Sequence, residues 1–194
     1  MNQDVLLERI KNGDRSAYAE LYNTYVNKLF SYGKSLSFSD NTCMDAIQDV
    51  FCRIFTHKED LNNIQNIHYY LLRSLKNRLL DIYNHEKAIR FDSINEAEFL
   101  MEVSVMDTII DTEERDRLRN RVESLLNLLT NNQKEAIYLR YMQEMEYDEI
   151  AELLNISPES TRKLVYRGIL KLRSHSGLGI SIILLYLREY YAQC

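Results

Sequence analysis

The sequence predicts an all-α protein: two small helical bundles joined by an acidic linker, the second with a helix-turn-helix. Three observations carry this. Five glycines and one proline in 194 residues are about 3% turn formers against roughly 12% in an average protein. Apolar residues recur every three to four positions over several long stretches, the period of a helix with one buried face. An Asn-Ile-Ser-Pro step at 155–158 marks a tight corner between two helices. The same scarcity of turn formers argues against a β-barrel, a β-sandwich or a Gly-rich phosphate-loop enzyme.

Each element has its own signal. Asp4 to Asn12 reads as a short helix stopped at Gly13, a left-handed C-cap position, and Asp14 is placed to cap the next helix. Ala17, Leu21, Tyr25 and Leu29, flanked by Tyr18, Tyr22 and Phe30, give one apolar face of a helix ending near Leu36. After the break at Ser39-Asp40-Asn41, Met44, Ile47, Val50, Phe51, Ile54 and Phe55 form a second stripe, with Asp45, Gln48, Asp49 and Cys52 opposite. LNNIQN, Leu61 to Asn66, is a polar loop. Ile67 to about His85 is a third long helix with Leu71, Leu75, Leu79 and Ile82 inward. These three helices cover each other's stripes as a bundle. Asp92 to about Asp111 is acidic and without a clean period, a linker. From Glu113 a second helical unit begins, with a break at Thr130-Asn131-Asn132 and helices over Gln133–Met142, Tyr147–Leu154 and Ser157–Arg173.

The segment EYDEIAELLNISPESTRKLVYRGILKLR, Glu146 to Arg173, has the design of a helix-turn-helix. Ala151 is small where two helices cross. Asn155 suits the left-handed turn position. Ile156 is placed to plug the corner. Ser157 is an N-cap and Pro158 a first helical residue. Thr161, Leu164 or Val165, Ile169 and Leu172 point inward, which leaves Arg162, Lys163, Tyr166 and Arg167 outward. A basic second helix of this kind enters the DNA major groove, where Arg reads guanine and Lys or Tyr contacts bases or phosphates.

The net charge of −5 hides a pattern. Leu72–Arg90 carries five bases and two acids, Asp92–Leu118 nine acids and two bases, and Ser157–His175 five bases and one acid. Two basic blocks flank an acidic one, as for two nucleic-acid contacts joined by a negative linker. On charge alone, ordinary acidic and basic helix faces are the better explanation of the pattern.

The second unit, LLNLLTNNQKEAIYLRYMQEMEYDEIAELLNISPESTRKLVYRGILKLR, resembles the C-terminal domain of bacterial RNA polymerase sigma factors. In the first unit, DRSAYAELYNTYVNKLF, DAIQDVFCRIF and YYLLRSLKNRLLDIY are similar to that family's opening, core-binding and promoter-melting helices, in the same order. The likeness runs from Gly13 to His175. Short length and the lack of a middle domain match the extracytoplasmic-function class (group IV), whose acidic linker is expected to thread toward the RNA exit path. Leu164 stands where the family frequently has a basic residue, and Tyr70 where it often has Trp.

The resemblance implies roles for named residues. Asp45, Gln48, Asp49 and Arg53 dock on core RNA polymerase, at the clamp coiled coil of β′, with the β subunit as a further partner. Asn62, Asn63, Asn66, Tyr69, Tyr70, Arg73, Lys76 and Asn77 meet the −10 element of promoter DNA. The chemistry is suitable, since an extruded base needs amides for its edge, a ring to stack on and cations for phosphates. Glu159, Ser160, Arg162, Lys163, Tyr166 and Arg167 match the −35-reading positions. An anti-sigma factor is a further expected partner.

Other classes find less support. His57, His68, His85, His175, Cys43, Cys52 and Cys194 show no metal-ligand spacing, and no nucleophile motif or carboxylate pair is evident. No cofactor, metal, small-molecule substrate or catalysis is expected. Three scattered cysteines and an acid-bearing N-terminus point to a cytoplasmic protein. The tail, Leu178 to Tyr191, is too apolar to be left in water. It reads as a helix packed on one domain, a tether between the two, or a partner for an anti-sigma protein. Its single base, Arg188, and its length of apolar run disfavour membrane insertion. Two alternatives stand beside the sigma reading: a helix-turn-helix regulator with an N-terminal sensing or dimerisation domain, and a helical adaptor that binds only protein.

Overall fold

The computed structural model describes residues 3–57, 61, 64–90, 99–101 and 112–176. Among the described residues there are eight α-helices and no strand: α1 (Gln3–Lys11), α2 (Arg15–Ser35), α3 (Asp40–Thr56), α4 (Ile67–Arg90), α5 (Thr112–Leu126), α6 (Asn131–Tyr141), α7 (Tyr147–Leu153) and α8 (Pro158–Ser176). The chain divides into two compact units, Met1–Ala97 and Glu98–Cys194. The tail 178–191 and the loop residues Asn62 and Asn63 lie outside the described residues.

In the first unit α2, α3 and α4 pack on one another and α1 packs on α2. Gly13 adopts φ 85° after α1, and the Asp14 side chain accepts from the Ser16 and Ala17 N–H groups at the start of α2. The cap therefore forms where the Gly-Asp pair predicts it. The core is Leu21, Leu29, Tyr32, Ile47, Phe51, Ile54, Leu71, Leu75 and Leu79, all buried. Tyr18 and Tyr22 stand edge-on to Phe51 at 6.1 and 4.9 Å.

The apolar stripe of α3 is rotated from the expected one. Met44 and Phe55 are exposed, at 41% and 47%, while Cys43 and Ala46 are fully buried. The reason lies in α2: a Cβ on Gly33 would fall 2.8 Å from the Cys43 Sγ. The two helices approach so closely there that small side chains, not Met44, fit the seam. Burial raises the Cys43 thiol pKa to about 11, an inert core thiol.

The second unit is built on α8, which packs against α5, α6 and α7. Thr130 lies in the expected break yet caps α6, by a capping box with Gln133, so the helix starts two residues early. Ala136, Ile137, Tyr138 and Leu139 are all fully buried, which makes α6 a central helix rather than an amphipathic one. A Cβ on Gly168 of α8 would lie 2.7 Å from Ile137 Cδ1, so α6 and α8 touch nearly backbone to side chain. The reading of 92–112 as linker needs correction at 99–101. Phe99 and Met101 are buried, and the Phe99 ring meets Tyr138 edge-on at 5.6 Å. The Phe99 ring anchors residues 99–101 on the second unit. Residues 92–98 and 102–111 lie outside the described residues.

Candidate nucleic-acid interface

The corner between α7 and α8 follows from four residues. Asn155 takes φ 54°, and the Ile156 N–H donates back to Ala151 at 3.0 Å, closing α7. The Ser157 Oγ accepts from the Ser160 N–H at 3.2 Å, and Pro158 opens α8. Ala151 is buried at the crossing. Ile156 does not plug the corner, as expected, but is exposed: the left-handed turn swings it outward.

Inside α8, Thr161, Val165, Gly168 and Leu172 are buried, while Leu164 and Ile169 are half-buried. Glu159, Ser160, Arg162, Lys163, Tyr166 and Arg167 are all exposed, so the six expected −35 residues share the open side. Tyr166 is 67% exposed. Lys163 pairs with Glu159 at 2.7 Å, and Arg162 lies 3.9 Å from Asp148. Among the described residues Arg167 has no ion pair. The face is cationic, dotted with one ring and backed by a helix whose N-terminus is capped: suited to insertion into a groove lined with acceptors.

In the first unit, Tyr69, Tyr70, Arg73, Lys76 and Asn77 lie on the outer side of α4, opposite the buried Leu71, Leu75 and Leu79. Arg73 donates to the Tyr69 hydroxyl at 2.9 Å and its guanidinium lies 5.8 Å from that ring. Asn66 does something the loop reading missed. Its amide oxygen accepts from the His68 and Tyr69 N–H groups at 3.0 and 3.3 Å. It is the cap that aims α4, and its carbonyl is committed to that task. Buried Leu61 anchors the preceding loop.

Asp45, Gln48, Asp49 and Arg53 are exposed together on α3. Asp49 is engaged from the neighbouring helix: Arg78 Nε of α4 donates to its Oδ2 at 2.7 Å. The pair sits in a cleft of about 360 Å³ lined also by Arg53, Tyr70, Asn77 and Asp81. Thus the α3 and α4 candidates border one groove. No cluster of metal-ligating side chains occurs among the described residues.

The family model for sigma-70, region 4, matches residues 119–172, the helix-turn-helix unit. Two relatives match along nearly their whole length. The extracytoplasmic-function (ECF) RNA polymerase sigma factor SigM of Bacillus subtilis is 19% identical, over 84% of this chain and 96% of SigM. The ECF RNA polymerase sigma-E factor of Escherichia coli K12 is 24% identical, over 87% of this chain and 91% of its own. Along most of its length the chain is similar to the extracytoplasmic-function sigma factors. Its function is that of a sigma factor in promoter-specific transcription initiation, and the reading as a stand-alone regulator is set aside. The fold is likewise shared with the sigma factor RpoE of Bartonella quintana, solved with the anti-sigma factor NepR: TM-score 0.56, 18% identity, over 81% of this chain and 94% of that one.

Two residues of this sigma factor escaped sequence reasoning. Arg78 was counted only as charge, because its partner is 29 positions away. Tyr147 was read only as a helix start, yet it lies between Arg140 of α6 and Arg162 of α8. An aromatic at the first position of a helix that precedes a basic helix was the available signal.

Proposed function

We propose that this sigma factor docks on core RNA polymerase through Asp45, Gln48, Asp49 and Arg53 of α3, on the β′ clamp coiled coil, with further contact to β. In that complex Tyr69, Tyr70, Arg73, Lys76 and Asn77 of α4, aimed by Asn66 and joined by Asn62 and Asn63, meet the −10 element. Glu159, Ser160, Arg162, Lys163, Tyr166 and Arg167 of α8 read the −35 element. The functional division is residues 1–91 for polymerase and −10, 92–112 as connection, 113–176 for −35 and 177–194 as an apolar tail. The chain works in the cytoplasm with the polymerase, without a reaction of its own. An anti-sigma protein holds it inactive, as the pairing of RpoE with NepR suggests by analogy.

The observation that carries this reading is the exposed cationic face of α8 behind the Asn155 turn and the Ser157 cap. The test is co-elution with core polymerase followed by run-off transcription from a pool of promoters of the same genome. Co-elution with new discrete transcripts is the expected result. Stable binding to duplex DNA alone, with no co-elution, refutes the docking assignment.

A further inference from the structure

Tyr147 opens α7 with its ring between two guanidinium groups. Arg140 Cζ lies 4.8 Å from the ring centroid and Arg162 Cζ lies 5.6 Å from it. The two arginines are not equivalent. Arg140 is held by two partners: Nη1 donates to the Met145 carbonyl at 2.6 Å and lies 3.3 Å from Glu146, and its side chain is 29% exposed. Arg162 is 58% exposed and, among the described residues, has one acid, Asp148, at 3.9 Å.

We propose that Tyr147 is a positioning residue for the −35 contact: a ring, fixed by Arg140, that orients the Arg162 guanidinium toward DNA. This rests on the assignment of Arg162 to promoter DNA. The physical case is one of donors. A carboxylate that held Arg162 tightly would take up its N–H groups and cancel its charge. A ring face attracts the cation through its quadrupole and takes no in-plane donor, so the guanidinium edge stays available to a base. A long, exposed side chain otherwise loses its rotamer freedom only on binding DNA. The ring removes part of that loss beforehand.

The test uses the full chain in holoenzyme, with a promoter recovered by run-off. Competition binding is measured for Tyr147→Ala, Tyr147→Leu and Tyr147→Phe, each with and without Arg162→Ala. Removing a solvent-exposed cation–π contact corresponds to about a two- to fivefold loss of affinity. Tyr147→Ala and Tyr147→Leu show that loss, and a weaker preference at the base pair that Arg162→Ala affects. Tyr147→Phe behaves as the parent, since the ring and not the hydroxyl is used. In the Arg162→Ala background all three are silent. Equal losses in both backgrounds, or a Tyr147→Leu that matches the parent, overturn the proposal while the DNA role of Arg162 stands. An Arg162→Ala that binds promoter like the parent overturns that role, and the positioning with it. Thermal unfolding of each variant and co-elution with core polymerase separate these outcomes from loss of fold.

Discussion

Arg78 of α4 and Asp49 of α3 are joined by a hydrogen-bonded ion pair at 2.7 Å, both side chains about half exposed. One partner belongs to the face proposed to hold polymerase; the other stands beside the face proposed to meet the −10 element. A base on polymerase that reaches Asp49 competes with Arg78 for its carboxylate.

That competition sets the first prediction. Asp49→Ala weakens binding to core polymerase. Arg78→Ala strengthens it by up to about fivefold, because an exposed pair is worth roughly 0.2–1 kcal/mol. For the same reason the stability of both variants stays within about 1 kcal/mol of the parent. Fluorescence titration with core enzyme reads both. Equal weakening by the two substitutions shows that Arg78 is itself a contact.

Arg167 carries the second. It is exposed on α8 with no ion pair among the described residues, so truncation disturbs nothing folded. Arg167→Ala lowers −35-dependent initiation about tenfold, within the 1–3 kcal/mol of a bidentate base contact. Co-elution with core polymerase is unchanged. A parallel loss of both activities means the residue has been misassigned.

Salt separates base reading from phosphate contact. Promoter affinity of the holoenzyme falls as salt rises, because phosphate contacts release counterions. Lys163→Ala weakens binding to all promoters alike and lowers the log–log salt slope by about one. A flat salt response counts against both basic faces.

The close approach of α8 to α6 makes a sign prediction. Alanine in place of Gly168 favours the helix by about 1 kcal/mol. Its Cβ, however, lands 2.7 Å from Ile137 Cδ1, and Ile137 is fully buried. Overpacking of a core costs about 1–3 kcal/mol, so Gly168→Ala is destabilising. Ile137→Val removes the clashing carbon, and in that background Gly168→Ala becomes stabilising. Urea unfolding of the four proteins decides it; the same sign in both backgrounds rejects the clash.

Acid should uncap α2. The Ser16 hydroxyl, then Arg9, then the Ala17 N–H all bond the Asp14 carboxylate and lower its pKa to about 2 from 3.8. A depressed pKa means the contribution is whole above about pH 4 and lost as pH falls to about 2. In Asp14→Asn, which keeps a capping oxygen but not the charge, the urea midpoint declines less across that window. An unchanged acid profile removes Asp14 from the account.

Much of the site was legible because its signals are local. Asn155 at a left-handed φ, Ser157 as cap, Pro158 as first helical residue and the Gly13-Asp14 pair all act within a few residues, through backbone hydrogen bonds and sterics. The exposed side of α8 followed from helical period once its start was known. Thr130 was harder: it sits among Asn residues that read as loop, and only the reciprocal bond with Gln133 makes it a cap.

By itself the sequence determined an all-helical chain, its two units, the basic second helix of the helix-turn-helix and the residues on its open face, since each depends on order and period along one stretch. Tertiary structure decided what depends on a second stretch. It turned α3 so that Cys43 and Ala46 meet Gly33 and Met44 and Phe55 face outward. It took Phe99 out of the linker and onto Tyr138. It joined Asp49 to Arg78 and set Tyr147 between Arg140 and Arg162. Side chains far apart in sequence become partners only when packing fixes which helix faces meet. Periodicity places a residue on a face of its own helix, and only the packed neighbour determines what that face touches.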